Sequence, residues 1–131
     1  MPIRPLAQVA KLQTAPSHEG DMISVSGFPL SIPVLVTTTG FIASSFYKDK
    51  RERAVYLADL SVNQGNSGAP AYNDTDGSVI GCVTDSIATA EGANSGLVDI
   101  VPVQRILDLL SQAKADEEAK QDAAQPKSPK N

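Results

Sequence analysis

The sequence predicts an all-β domain of about six short antiparallel strands, a barrel or a sandwich, followed by one C-terminal α-helix. Three observations carry that expectation. Apolar and small polar residues alternate with period two through Met22-Ile23-Ser24-Val25-Ser26-Gly27-Phe28. Runs rich in Val, Ile, Thr and Tyr recur at regular spacing between clusters of Gly, Pro, Asn and Asp. Helical spacing appears in one place, where Val103, Ile106, Leu107 and Leu110 fall at i, i+3, i+4 and i+7.

Taken in order, Met1 to Gln13 carries Pro2, Pro5 and a short apolar set and reads as an arm lying on something else. The polar turn Ala15 to Asp21 leads into the alternating strand. After Pro29, the stretch from Ile32 to Phe46 reads as one long bent strand or as two strands joined at Gly40. Ala54 to Leu60 is a further short strand. Ala69 to Tyr72 and Ser78 to Ile87 flank Asn73-Asp74-Thr75-Asp76-Gly77, whose residues suit a hairpin turn, so these two runs pair antiparallel. Ser95 to Val101 is the last strand. Pro102 then opens the helix, whose apolar stripe must pack on the barrel. The expected organisation is an arm over 1–18, a β domain over 19–102, a helix over 103–113 and a polar, frayed or disordered tail over 114–131.

Composition narrows the function classes. A chain of 131 residues suits one domain with a real core, and nine Gly with nine Pro suit a turn-rich β protein. A net charge of −4 argues against nucleic acid, and the one basic cluster, Lys48 to Arg53, is interleaved with Asp49 and Glu52 as in a solvated loop. No run of eighteen apolar residues and no charged start ahead of an apolar stretch is present, so neither a membrane span nor a signal peptide is expected. The single Cys82 excludes an intrachain disulfide and reads as an inert thiol in an apolar strand. Compartment stays open, though a chain without disulfides is compatible with the cytoplasm.

The most informative segment is Gly65-Asn66-Ser67-Gly68-Ala69-Pro70, which sets one serine in a glycine-flanked turn between two strands. Glycine permits positive φ and close approach, so backbone N–H groups around such a serine can face a developing oxyanion. The wider run from Leu60 to Asn73, followed by Asp76-Gly77-Ser78-Val79-Ile80-Gly81, resembles the nucleophile segment of trypsin-like serine proteases, most closely the HtrA-type branch. Gly27-Phe28-Pro29 before a Thr-rich strand resembles the same branch, and the likeness covers Glu19 to Leu110.

This resemblance implies a six-stranded antiparallel β-barrel, the second barrel of the chymotrypsin-like fold, with its C-terminal α-helix. It implies peptide-bond hydrolysis through an acyl-enzyme at Ser67, with Gly65 and Ser67 N–H groups as the oxyanion hole and Asn66 shaping the turn. Ser61 matches the base of the primary specificity pocket; being neutral, it argues against a preference there for Arg or Lys. Thr84, Val83, Asp85 and Ser86 match the strand to which substrate adds by β-augmentation.

Two residues depart from the family pattern. Asn66 stands where many members have an Asp that pairs with a new N-terminal amine, so activity would not depend on that switch. Ala69 replaces a Gly, and would be strained if that position needs positive φ.

The family's general base and orienting Asp come from the first barrel, and no residue here matches them. His18, the one histidine, reads as a surface loop residue, and Asp59 and Asp99 as surface or turn residues. The expected chain is therefore a C-terminal half, nearly inert alone. Its implied partners are a peptide or protein substrate and a first-barrel polypeptide or a second copy, with no nucleic acid, membrane, cofactor or metal. The alternatives are an inactive peptide-binding barrel, a truncated fragment, or an unrelated small barrel.

Overall fold

Alternation in Met22–Gly27 forms β1, with Ile23 and Val25 fully buried and the residues between them half-buried. These coordinates are a computed structural model that describes residues 9–62 and 66–124. Strand β2 (Val36–Lys48) pairs antiparallel with β1, from Gly27 opposite Val36 to Met22 opposite Phe41, and its later half pairs with β3 (Ala54–Asp59). The stretch around Gly40 is thus one long strand. A methyl group at Gly40 would collide with the Asp59 carbonyl, so the close approach of β3 requires glycine. Two irregularities in the β2–β3 pairing, between Ile42 and Ser44 and between Ser44 and Tyr47, bend the strand without ending it.

Strand β4 (Pro70–Asn73) and β5 (Val79–Ala88) form the hairpin that the Asn73–Gly77 residues specify. The turn holds itself: Gly77 N–H donates to the Asn73 carbonyl, and Ser78 N–H to Asp76 Oδ1. Strand β6 (Asn94–Pro102) joins β3 to β5. The order is β1-β2-β3-β6-β5-β4, closed by β1 on β4 where Val25 faces Ala71, and every pair is antiparallel. Of barrel and sandwich, the fold is the barrel. Its core is apolar throughout, built from Ile23, Val25, Ile42, Ala58, Ile80, Val83, Val98 and Ile100 among others.

The segment before β1 lies along the barrel. Leu12 bridges Val79 in parallel, with Gln13 N–H on the Val79 carbonyl and Val79 N–H on the Lys11 carbonyl. Buried Ser17 donates its N–H to the Tyr56 hydroxyl.

Helix α1 (Val103–Ala124) differs from expectation at the far end of its apolar stripe. Val103 is buried and Ile106 and Leu107 are half-buried, but Leu110 is 61% exposed, so only the first two turns pack on the barrel. The helix continues to Ala124, whereas the stripe predicts an end near 113. Ala, Lys, Glu and Gln dominate this stretch, and strong helix formers extend a helix already nucleated by packing. Among the described residues no helix is long and apolar enough to cross a membrane.

Candidate active site

Residues Asn66 to Ala69 form a four-residue turn closed by Ala69 N–H on the Asn66 carbonyl at 2.9 Å. Gly68, third in the turn, has φ 89°, the left-handed position that makes glycine necessary there. Ser67 is therefore displayed at the tip and is exposed. Two bonds fasten the turn to β5: Gly68 N–H donates to the Val83 carbonyl at 2.7 Å, and Val83 N–H to the Ala69 carbonyl at 2.9 Å. The Ser67 hydroxyl donates to the Thr84 carbonyl at 3.2 Å.

A β-bulge aims that carbonyl. In the β5–β6 pairing Val83 faces Ile100 and Asp85 faces Asp99, which leaves Thr84 as the extra residue. Its hydroxyl donates to the Asp99 carbonyl at 3.3 Å. Past Cys82, β5 has no β4 partner, so among the described residues Thr84 to Ala88 present an open edge next to Ser67.

The remaining sequence-predicted residues fall as follows. Asn66 is 2% exposed and packs against Gly27, where a methyl group would collide with Asn66 Oδ1. Ala69 has no positive φ and its methyl packs against the core, so its departure from glycine carries no strain. Val83 is buried in the core with its N–H and carbonyl both turned to the Ser67 turn. Asp85 and Ser86 are exposed on the open edge, and Asp85 Oδ1 accepts the Ser86 N–H. Ser61 is exposed just past β3. Gly65 lies outside the described residues.

His18 is exposed before β1, while the nucleophile turn packs at the Gly27 end of that strand. Five residue steps at about 3.3 Å each put these ends roughly 17 Å apart, too far for proton transfer. Asp59 is exposed.

Asp99 corrects the expectation of a surface residue: it is 8% exposed, and its Oδ1 has no hydrogen-bond partner. Burial pushes its carboxyl above the usual range, helped by the nearby Asp49 and Asp85 and opposed by Arg53. Alternation alone puts Asp99 on the face opposite core residues Val98 and Ile100. The Asp49 and Arg53 charges that act on it come from the β2–β3 hairpin, a distant segment of sequence that lines the same cavity.

That hairpin is held by Asp49, whose Oδ1 accepts the Arg51 and Arg53 N–H groups while Oδ2 meets the Arg53 guanidinium at 2.6 and 2.7 Å. The Arg53 side chain, with the two backbone N–H groups, lowers the Asp49 carboxyl to about 2. Burial raises the Cys82 thiol, in keeping with an inert role. Among the described residues no three His, Cys, Asp or Glu side chains are placed to hold a metal ion.

A sequence profile described as the trypsin-like peptidase domain matches residues 2–82. The chain belongs to that family. No curated protein matches by sequence. Among solved structures, an HtrA-type protease, AlgW, crystallised with a decapeptide, superposes with TM-score 0.70 at 20% identity, over 84% of this chain and 34% of its own. The Rv3671c protease in an inactive form gives 0.66 at 19% identity, over 82% and 56%. The serine endoprotease from Yersinia pestis gives 0.65 at 23% identity, over 82% and 36%. These likenesses show the fold, and the chain spans between about a third and a little over half of their length.

Proposed function

We propose that the chain is the nucleophile-bearing barrel of a serine endopeptidase, acting at Ser67, with the general base and its orienting carboxylate supplied from outside this barrel. The carrying observation is the exposed Ser67 hydroxyl on a turn fastened to a bulged strand with an open edge. A peptide that adds antiparallel to that edge brings its scissile carbonyl over Ser67. The hydroxyl leaves the Thr84 carbonyl, gives its proton to the base and bonds to the acyl carbon. The oxyanion is held by backbone N–H groups of Gly65 and Ser67, the amine leaves with the base's proton, and water hydrolyses the ester. By the family resemblance Ser61 would supply a neutral base to the primary specificity pocket once the site is complete.

The test is fluorophosphonate labelling of the 131-residue protein and of Ser67→Ala, with and without added imidazole as a substitute base. Slow labelling that imidazole accelerates and Ser67→Ala abolishes supports the proposal. Labelling indifferent to Ser67→Ala, or none from a folded sample with imidazole, sinks it. The latter result leaves the second reading, a barrel that binds peptides without cleaving them, which the open β5 edge favours.

A further inference from the structure

The bulge at Thr84 has an electrostatic consequence. It moves Asp85 into register with Asp99, so two carboxylates stand directly opposite on one face of the β5–β6 pair. Side chains so placed have Cβ atoms about 4.5–5.5 Å apart, and like charges there repel. One of the two is buried with an unpartnered oxygen. Both line an open cavity of about 710 Å³ between β5 and the β2–β3 hairpin, with Tyr47, Asp49, Arg53 and Thr84.

The cavity's own cations relieve this only in part. Arg53 is engaged by Asp49. Lys50 and Arg51 line the rim but are exposed, and neither meets the free Asp99 oxygen. Among the described residues no third ligand group is placed to hold a metal ion. The missing counter-charge fits a guanidinium or ammonium from outside, and a planar guanidinium can reach across two facing carboxylates.

Position says how it arrives. The cavity lies over the outer face of β5 and β6, along Thr84 to Thr89, and a side chain from a peptide on the open edge beside Ser67 reaches it by crossing β5. A peptide antiparallel to β5 moves toward its own N-terminus as β5 moves from Thr84 toward Ala88.

We infer that this cavity is a subsite for a lysine or arginine side chain lying a few residues N-terminal to the bond presented to Ser67, bound by Asp99 with Asp85. The inference rests on the peptide reading of the β5 edge proposed above. It also separates two specificities, since the neutral Ser61 pocket would not select a basic residue at the scissile bond itself.

Fluorescence anisotropy tests it with capped seven-residue alanine–valine peptides carrying a central arginine or its uncharged isostere citrulline. The expected result is roughly tenfold tighter binding of the arginine peptide, the scale of one charge-assisted hydrogen bond. Asp99→Asn should erase the difference by weakening arginine-peptide binding to that of the citrulline peptide, and the exposed Asp85→Asn, whose folding is not at issue, should reduce it. Equal binding of both peptides, a preference that survives Asp99→Asn, or no binding of either by folded protein would each overturn the subsite. Ser67 labelling in the same samples keeps the two proposals apart: labelling without arginine preference removes the subsite alone, and preference without labelling removes hydrolysis alone.

Discussion

Asn66 is held by a glycine thirty-nine residues before it, because Gly27 leaves the room that the Asn66 side chain fills. Gly27→Ala forces the amide out or the backbone of β1 aside, and overpacking of this kind costs about 1–3 kcal/mol. Urea denaturation should show that loss, and Ser67 labelling with imidazole should fall with it because Asn66 begins the turn. Asp99→Asn should act in the opposite direction. In the folded chain burial holds the Asp99 carboxyl above the ordinary carboxylate range, so the native state binds its proton more tightly than the unfolded chain. Well below the ordinary carboxylate range both states are protonated and the residue is neutral to stability; as pH rises the unfolded chain ionises first and stability falls until the folded carboxyl has ionised too. The variant should therefore be more stable than the parent at pH 7, by up to about 1 kcal/mol, and the gap should close toward pH 3.5. A variant less stable at pH 7 would mean that Asp99 already has a counter-charge. At this scale Ser67 and the need for glycine at Gly68 are legible from neighbours in sequence. Gly27 and Asp99 are not, because what presses on each comes from a distant strand or hairpin.

Among the elements, the strands declare themselves by alternation, and the β4–β5 hairpin by its Asn-Asp-Gly turn. The closure of β1 on β4 leaves no such mark, since Val25 and Ala71 are forty-six residues apart and each is simply an inward apolar residue. Nor does the bulge at Thr84, which depends on how β6 settles against β5. The length of α1 is hidden for a different reason: an apolar stripe reports where a helix is packed, while propensity decides how far it runs on into solvent. Residues Asp108 to Ala124 are all exposed, so this half of the helix contributes little to the barrel. Removing residues 114–131 should lower helical ellipticity but shift the unfolding free energy by less than about 1 kcal/mol, the range for surface changes that break no buried contact. A larger loss in thermal or urea unfolding would show that the distal helix packs on the barrel in solution.

At the scale of the whole molecule, exposed apolar residues gather at one end of the barrel. Phe28, Leu30, Val34 and Leu35, in the connection from β1 to β2, are each more than half exposed, and this connection leaves β1 at Gly27, the residue that touches Asn66. Exposed apolar residues clustered in one connection mark a candidate interaction surface. Its backbone adds to the cost, since Leu30 and Ser31 have φ of 54° and 59°, a conformation that side chains other than glycine adopt at about 1–2 kcal/mol each. Covering the segment would remove apolar surface from water and let that backbone relax, and a second copy of the chain is always present to do so. A net charge of −4 offers only weak opposition at physiological salt. Sedimentation velocity should therefore show an average mass that rises between about 1 and 100 μM, the range of a weak association. Val34→Glu with Leu35→Glu should sediment as a monomer throughout with an unchanged far-ultraviolet spectrum, because both residues are about 60% exposed and neither belongs to the core cluster. A parent chain that remains monomeric at the upper concentration would show that the connection folds back and covers its own apolar side chains. If association does occur, it brings a second surface to the end of the barrel that carries Ser67, and labelling of Ser67 should then change in step with the concentration of protein.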